Sequence, residues 1–156
     1  MTSPHPTDTK QPKSAADKAL ADAIAAEHAT IYGYGFVSAH STPDLNDLVS
    51  DALAQHRARR DAAIQTLSSR GVAAPTAAVA YQLPIAVNNV HDAATLAVRM
   101  EDDDAVAWRA VLEQADSPTD RSSAITSLTQ CATWAARWRH VLGEWPMTRP
   151  FPGGAE

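Results

Sequence analysis

Apolar positions recur at spacings of three and four along four long stretches of this chain, the period of an amphipathic helix. In the first stretch Leu20, Ile24, Glu27, Ile31 and Tyr34 share one face, so a glutamate interrupts an otherwise apolar stripe. The second carries Leu45, Leu48, Ala52, Leu53, His56, Ala63 and Leu67. The third carries Val90, Ala94, Ala97, Glu101, Ala105, Trp108 and Leu112, and the fourth Ala124, Leu128, Cys131, Ala135, Trp138 and Leu142. No segment alternates with the period of two that a half-buried strand requires. There is no internal repeat and no low-complexity tract. The pattern predicts an all-α protein.

Start and stop signals bound the four helices. Ser14, with Asp17 three positions on, opens the first, which is expected to run to His40. Thr42 opens the second, with Pro43 at the first helical position and Asp44 in the first turn, and Gly71 ends it. The third is expected from Asn88 or Asn89 to about Ala115. The fourth opens on Ser117, Pro118 and Asp120 and runs to Leu142, where Gly143 stops it. The ends read as tails: 1–13 as a flexible one, 144–156 as one with enough Trp, Phe and Pro to pack on the surface.

Connection lengths set the expected topology. The first and second helices meet within two residues, as do the third and fourth, so each pair is antiparallel. Between the second and third lies a linker of roughly 17 residues, able to span up to ~55 Å when extended. A helix of roughly 27 residues is ~40 Å long. The linker can therefore travel the whole bundle and make the second and third helices parallel. A four-helix bundle with one long central crossover is the ferritin-like arrangement.

That topology places the interrupting polar residues at one height. Glu27 and His56 are nearly equidistant from the turn at Ser41, and Glu101 and Cys131 are equidistant from the turn at Asp116. With the second and third helices parallel, His56 and Glu101 also match. An unpaired buried carboxylate is costly, so Glu27, His56, Glu101 and Cys131 are expected to form one inward layer in which charges meet partners. Tyr34 is expected to bond into it, and Arg60, one turn from His56, to supply charge. A ferritin-like di-metal centre takes one Glu from each of two helices and Glu-x-x-His from each of the other two. Glu27 and Glu101 supply the first half. Where the second half belongs stand Leu53-x-x-His56 and Leu128-x-x-Cys131, so the bridging carboxylates are leucines.

Two readings of the layer follow. In one, Glu27, His56 and Glu101 are a reduced metal site whose ligand types suit Fe, Mn or Zn. In the other, which the two leucines favour, they are a satisfied polar layer with no cofactor. His28, beside Glu27, is expected to be partly buried with a backbone or Glu partner. Gly33 and Gly35 are expected to admit a close neighbour. Asp102 and Asp103 of the "EDDD" run are expected to be solvated, and Cys131 to be a small core residue. Trp138 fits the core, whereas Trp134 with Arg137 fits core and subunit interface equally well.

Composition removes several functions. The net charge is −5, and the one basic cluster, His56 to Arg60, is flanked by acidic residues. A nucleic-acid binder needs a basic stripe, so no nucleic-acid partner is expected. No run approaches the ~20 apolar residues of a membrane span, and the first residues have no apolar segment of signal-peptide type. With a single cysteine, these features lead us to expect a cytoplasmic protein. No catalytic triad, phosphate loop, CxxC or HExxH is present.

The stretches "AAEHATIYGYG", "HRARRDAAIQTL", "AAPTAAVAYQLP" and "LAVRMEDDDAVAWRAVLE" resemble the actinobacterial ferritin-like domain family of unknown function, over roughly residues 14 to 143. The resemblance implies a ferritin-like bundle and no established activity. The expected function is non-catalytic, by self-association as a homodimer or by partner binding. The alternative is a metal-binding protein or metal-dependent oxidoreductase built on the reduced carboxylate and histidine site.

Overall fold

The computed structural model describes Pro12 and residues 14–154. The expected N-terminal tail, Pro12 apart, lies outside the described residues. Four helices carry the fold, and the described residues contain no strand: α1 Ala15–His40, α2 Asn46–Ser69, α3 Val90–Gln114 and α4 Pro118–Leu142. Three helices begin on the capping chemistry their sequences announce. Ser14 Oγ accepts from the Asp17 amide at 3.0 Å, Asn89 Oδ1 from that of Asp92 at 2.9 Å, and Ser117 Oγ from that of Asp120 at 3.1 Å. The second helix starts later than its signals suggest. Pro43–Leu45 form a 3₁₀ turn closed by the Leu45 amide on the Thr42 carbonyl, and the α-helix proper begins at Asn46. Gly71 and Gly143, both at φ 69°, follow α2 and α4 in the left-handed conformation that glycine adopts without penalty.

The core divides into two apolar halves. One holds Leu20, Ile24, Leu67, Trp108, Val111 and Ala124. The other holds Tyr34, Val37, Val49, Leu96, Met100 and Trp138. The first half thus joins the start of α1, the end of α2, the end of α3 and the start of α4. Arg70, just past α2, ties that end together, pairing with Asp17 at 2.9 Å and Asp120 at 2.6 Å. Residues 71–89 leave from there and deliver the chain to the start of α3, which packs in the other half. On the way the His28 Nε2 donates to the Pro75 carbonyl at 3.1 Å, the Tyr81 ring meets Tyr32, and Leu83, Ile85 and Val87 pack on the second half.

Helix α1 packs on α2 and α3, and α3 on α4, whereas α2 and α4 face each other across a cleft. At Gly33, α1 and α3 come so close that a Cβ would stand 2.2 Å from Met100 Sδ. Gly35 has open space around it, so packing does not account for that glycine. The C-terminal segment touches the bundle, though not through its Trp and Phe: the Arg139 guanidinium reaches the Met147 carbonyl, and a Cβ at Gly153 would stand 2.4 Å from the Ala105 carbonyl oxygen. Trp145 and Phe151 remain exposed on it.

A buried charged layer between the core halves

Between the two apolar halves lies a layer of polar side chains, each placed by a helical stripe. Glu27 on α1, His56 on α2 and Glu101 on α3 are fully buried and meet at its centre. His56 Nδ1 lies 2.7 Å from Glu27 Oε2, and its Nε2 lies 2.9 Å from Glu101 Oε1. Tyr34 donates its hydroxyl to the same Glu101 oxygen at 2.5 Å, and Trp138 Nε1 donates to the Tyr34 oxygen at 2.9 Å. The sequence-derived trio and Tyr34 are therefore one connected network.

Arg60 is not part of it. Its guanidinium points outward and pairs with Asp61 at 2.8 Å. The arginine of the layer is Arg59, because 52, 56, 59, 63 and 67 form the buried stripe of α2. Arg59 Nε donates to Glu27 Oε1 at 2.7 Å, and its Nη1 reaches Gln130 Oε1 at 3.2 Å and the Ser127 carbonyl at 3.5 Å. Trp108 Nε1 donates to Glu27 Oε1 at 2.7 Å. The third carboxyl, Asp104, also escaped the sequence reading. It stands three residues from Glu101 on the buried face of α3, with Oδ2 3.4 Å from His56 Nδ1.

The "EDDD" run therefore divides by face. Glu101 and Asp104 point in, and Asp103 is exposed. Asp102 is not solvated as expected. It is bound by Arg139 and lies 3.5 Å from Arg149, because α4 and the C-terminal segment bring both guanidinium groups over its face of α3.

Helix α4 gives the layer little. Cys131 is buried as a small core residue, and burial pushes its thiol well above the usual range. Leu128 and Leu53 are only half-buried, while Ser127, Trp134 and Val49 take core positions. Trp134 donates Nε1 to Gln55 Oε1 at 2.5 Å and carries the Arg137 guanidinium 4.6 Å from its ring centre, a cation–π contact.

Ionisation follows from this geometry. Burial works against a charged His56, but the hydrogen bonds to Glu101 and Glu27 and their charges outweigh it and raise its pKa to about 10. Burial likewise raises the Glu27 carboxyl, yet the His56 hydrogen bond and the Arg59 charge prevail and hold it below 4.5. Burial and the Glu27 charge push Asp104 well above the usual carboxyl range. Burial and Glu101 push Tyr34 upward, which keeps its hydroxyl a donor. Two cations, His56 and Arg59, thus meet on Glu27, and His56 also reaches Glu101. Arg59 Nη2 also lies 2.7 Å from His56 Nδ1. With Nδ1 protonated that contact is donor against donor, and Glu27, touching both cations, offsets it.

Two buried oxygens have no hydrogen-bond partner among the described residues, Glu101 Oε2 and Asp104 Oδ2. Separately, one donor atom each of Glu27, Asp104 and Cys131 lie within 4.8 Å of one another.

Residues 19–156, which include every member of this layer, match the family described as "Domain of unknown function (DUF4439)". The chain belongs to that family. This DUF4439 chain is similar to the crystal structure of a conserved hypothetical protein, rv2844, from Mycobacterium tuberculosis. The two share 60% sequence identity over 88% of this chain and 97% of that one, with a TM-score of 0.82. A comparison with curated proteins finds no match. Among the described residues of this family member, no helix is long and apolar enough to cross a membrane.

Proposed function

We propose that this DUF4439 protein is a ferritin-like bundle in which a charge-compensated polar layer has replaced the di-metal centre. It acts in the cytoplasm without catalysis, through self-association or a protein partner. The ferritin-like assignment is supported by the ends of the helices: the finish of α2 and the finish of α3 lie in the same half of the core, and 71–89 bridge the two halves.

The observation that carries the metal-free reading is the placement of His56 between Glu27 and Glu101 through both ring nitrogens. A histidine that donates from both nitrogens has no lone pair for a metal. The donor set also does not suit a two-ion centre. Its bridging carboxylates would come from α2 and α4, but α2 brings the Arg59 cation to the layer and α4 brings a protonated thiol. A metal-binding reading draws on the two unpartnered carboxyl oxygens and on the Glu27, Asp104 and Cys131 cluster, which offers O and S donors to Fe, Mn or Zn. It requires an ion to displace the paired Arg59.

A melting series separates the two. Wild type and His56→Ala are compared in chelator and with Fe, Mn or Zn added. The polar-layer reading expects the variant to melt lower in every buffer and neither protein to gain from metal. Stabilisation of wild type alone by one metal supports the metal site instead.

Self-association now draws on different residues from those first considered. Trp108, Trp134 and Trp138 are buried in the chain's own core, which leaves Trp145, 83% exposed, with Phe151 and Phe36, as exposed aromatic residues among those described.

A further inference from the structure

Protein interiors keep few voids larger than a water molecule. Here α2 and α4 stand apart, and the space bounded by the end of α2, the start of α4, the start of α1 and the end of α3 is a cavity of about 380 Å³. That volume lies within the ~300–1,000 Å³ range of small-molecule sites, which in bundles lie between helices. Small side chains keep it open: Ala62 and Ala63 on α2 face Ser123 and Ser127 on α4, where leucines would close it. Its walls are apolar, with Leu20, Trp108 and Val111 prominent.

Hydroxyl side chains such as Thr66, Ser69, Thr119 and Ser123 are spread along the wall, whereas the charged groups stand in two places. At the inner end is Arg59, only 7% exposed, whose Nη1 makes its two longest contacts there, at 3.2 and 3.5 Å. Beside it Ser127, 5% exposed, lines the same space. At the mouth Arg70 bridges Asp17 and Asp120. The charged groups lining the cavity are thus two cations, Arg59 and Arg70, and one carboxylate, Asp120. Its inner end offers hydrogen-bond donors over an apolar body. A second opening between α2 and α4 shares Arg59, Ala62, Ser123 and Ser127, which provides a route in from solvent.

We propose that this cavity binds a small monocarboxylate with an apolar body, its carboxylate on Arg59 Nη1 and the Ser127 hydroxyl and its chain along Leu20, Trp108 and Val111. The site is separate from the question of metal in the charged layer. Arg59 reaches both, with Nε toward Glu27 and Nη1 toward the cavity.

The test titrates the full chain with octanoate and with 1-octanol, followed by calorimetry and by the shift in melting temperature. Octanoate is expected to bind and to raise the melting temperature as its concentration rises, and octanol at least about tenfold more weakly. Ala62→Trp fills the cavity from its half-open side without touching the charged layer, and is expected to weaken octanoate at least about tenfold. Val79→Ala, exposed on the connection between α2 and α3, is expected to bind as wild type does. No octanoate binding at millimolar concentration would overturn the proposal. So would equal binding of octanol, or octanoate binding that Ala62→Trp leaves unchanged or that Val79→Ala removes. Because Ala62 lies outside the layer, the result does not depend on whether His56 is metal-free.

Discussion

Glu27→Gln keeps the shape of the side chain and removes its charge, so it isolates the ionic part of the layer. Glu27 accepts from Arg59 Nε and Trp108 Nε1 through one oxygen and from His56 Nδ1 through the other, and all three bonds are 2.7 Å long. A carboxamide oxygen can still accept from Arg59 and Trp108. Its NH₂ must then face the His56 Nδ1–H, donor against donor. Two buried cations remain, and Glu101 touches only one of them, His56. Breaking a buried pair from one side costs about 3–5 kcal/mol. That is a large share of the ~5–15 kcal/mol by which domains are stable. At ~2–4 °C per kcal/mol for a chain of this size, the melting temperature falls by about 6–20 °C. Urea unfolding near pH ~6, followed by circular dichroism and tryptophan fluorescence, measures the loss directly if both probes give one transition and the m-value is unchanged. A loss below ~1 kcal/mol at constant m would refute the idea that Glu27 holds two buried cations.

Further expectations are independent of that variant. His56 has its pKa raised from 6.5 to about 10, so its contribution is whole below 6.5 and is lost as pH rises toward 10, about 5 kcal/mol at ~1.4 kcal/mol per unit. Glu27, held below 4.5, contributes above that value and loses its contribution as pH falls, so unfolding free energy should peak between about 4.5 and 6.5. A His56→Gln series that kept the alkaline decline would assign it elsewhere. Asp104 behaves oppositely: folding raises its pKa, so its carboxyl lowers stability as pH climbs above 3.8. Asp104→Asn is therefore expected to be neutral or stabilising at pH ~7 in urea unfolding, whereas a ligand carboxylate would lose metal affinity. If Trp145 anchors self-association, Trp145→Ala shifts light scattering toward monomer, and an unchanged mass at high concentration removes it from the interface.

The sequence carried the helices and the centre of the layer for separate reasons. Caps are local: Ser14, Asn89 and Ser117 each act within three residues, so their role can be read without the fold. Glu27, His56 and Glu101 stood out because each broke an apolar stripe. Arg59 and Asp104 did not, because each sits beside an apolar residue that could continue the stripe or within a run of charges. Asp104 neighbours Ala105, and Arg59 lies in "HRARR" next to Arg60. Three-residue spacing held the missing signal, since 56 and 59 share a face, as do 101 and 104. What no local pattern could supply was the partner of each charge. That Asp102 meets Arg139, or that Trp108 and Trp138 donate into the layer, depends on how α3 and α4 are rotated against α1. The cleft between α2 and α4 was likewise invisible, because alanines and serines fit a closed interface as readily as an open one.

The protonation state of His56 tests the charged, metal-free layer most directly. In ¹⁵N-labelled protein, with the resonance assigned by comparison with His56→Gln, both ring nitrogens are expected to carry protons at pH ~8, where a free imidazole is neutral. Titration is then expected only toward pH 10. An imidazole with one unprotonated nitrogen at pH ~8, or one whose nitrogen shifts on adding Fe, Mn or Zn, would contradict the account.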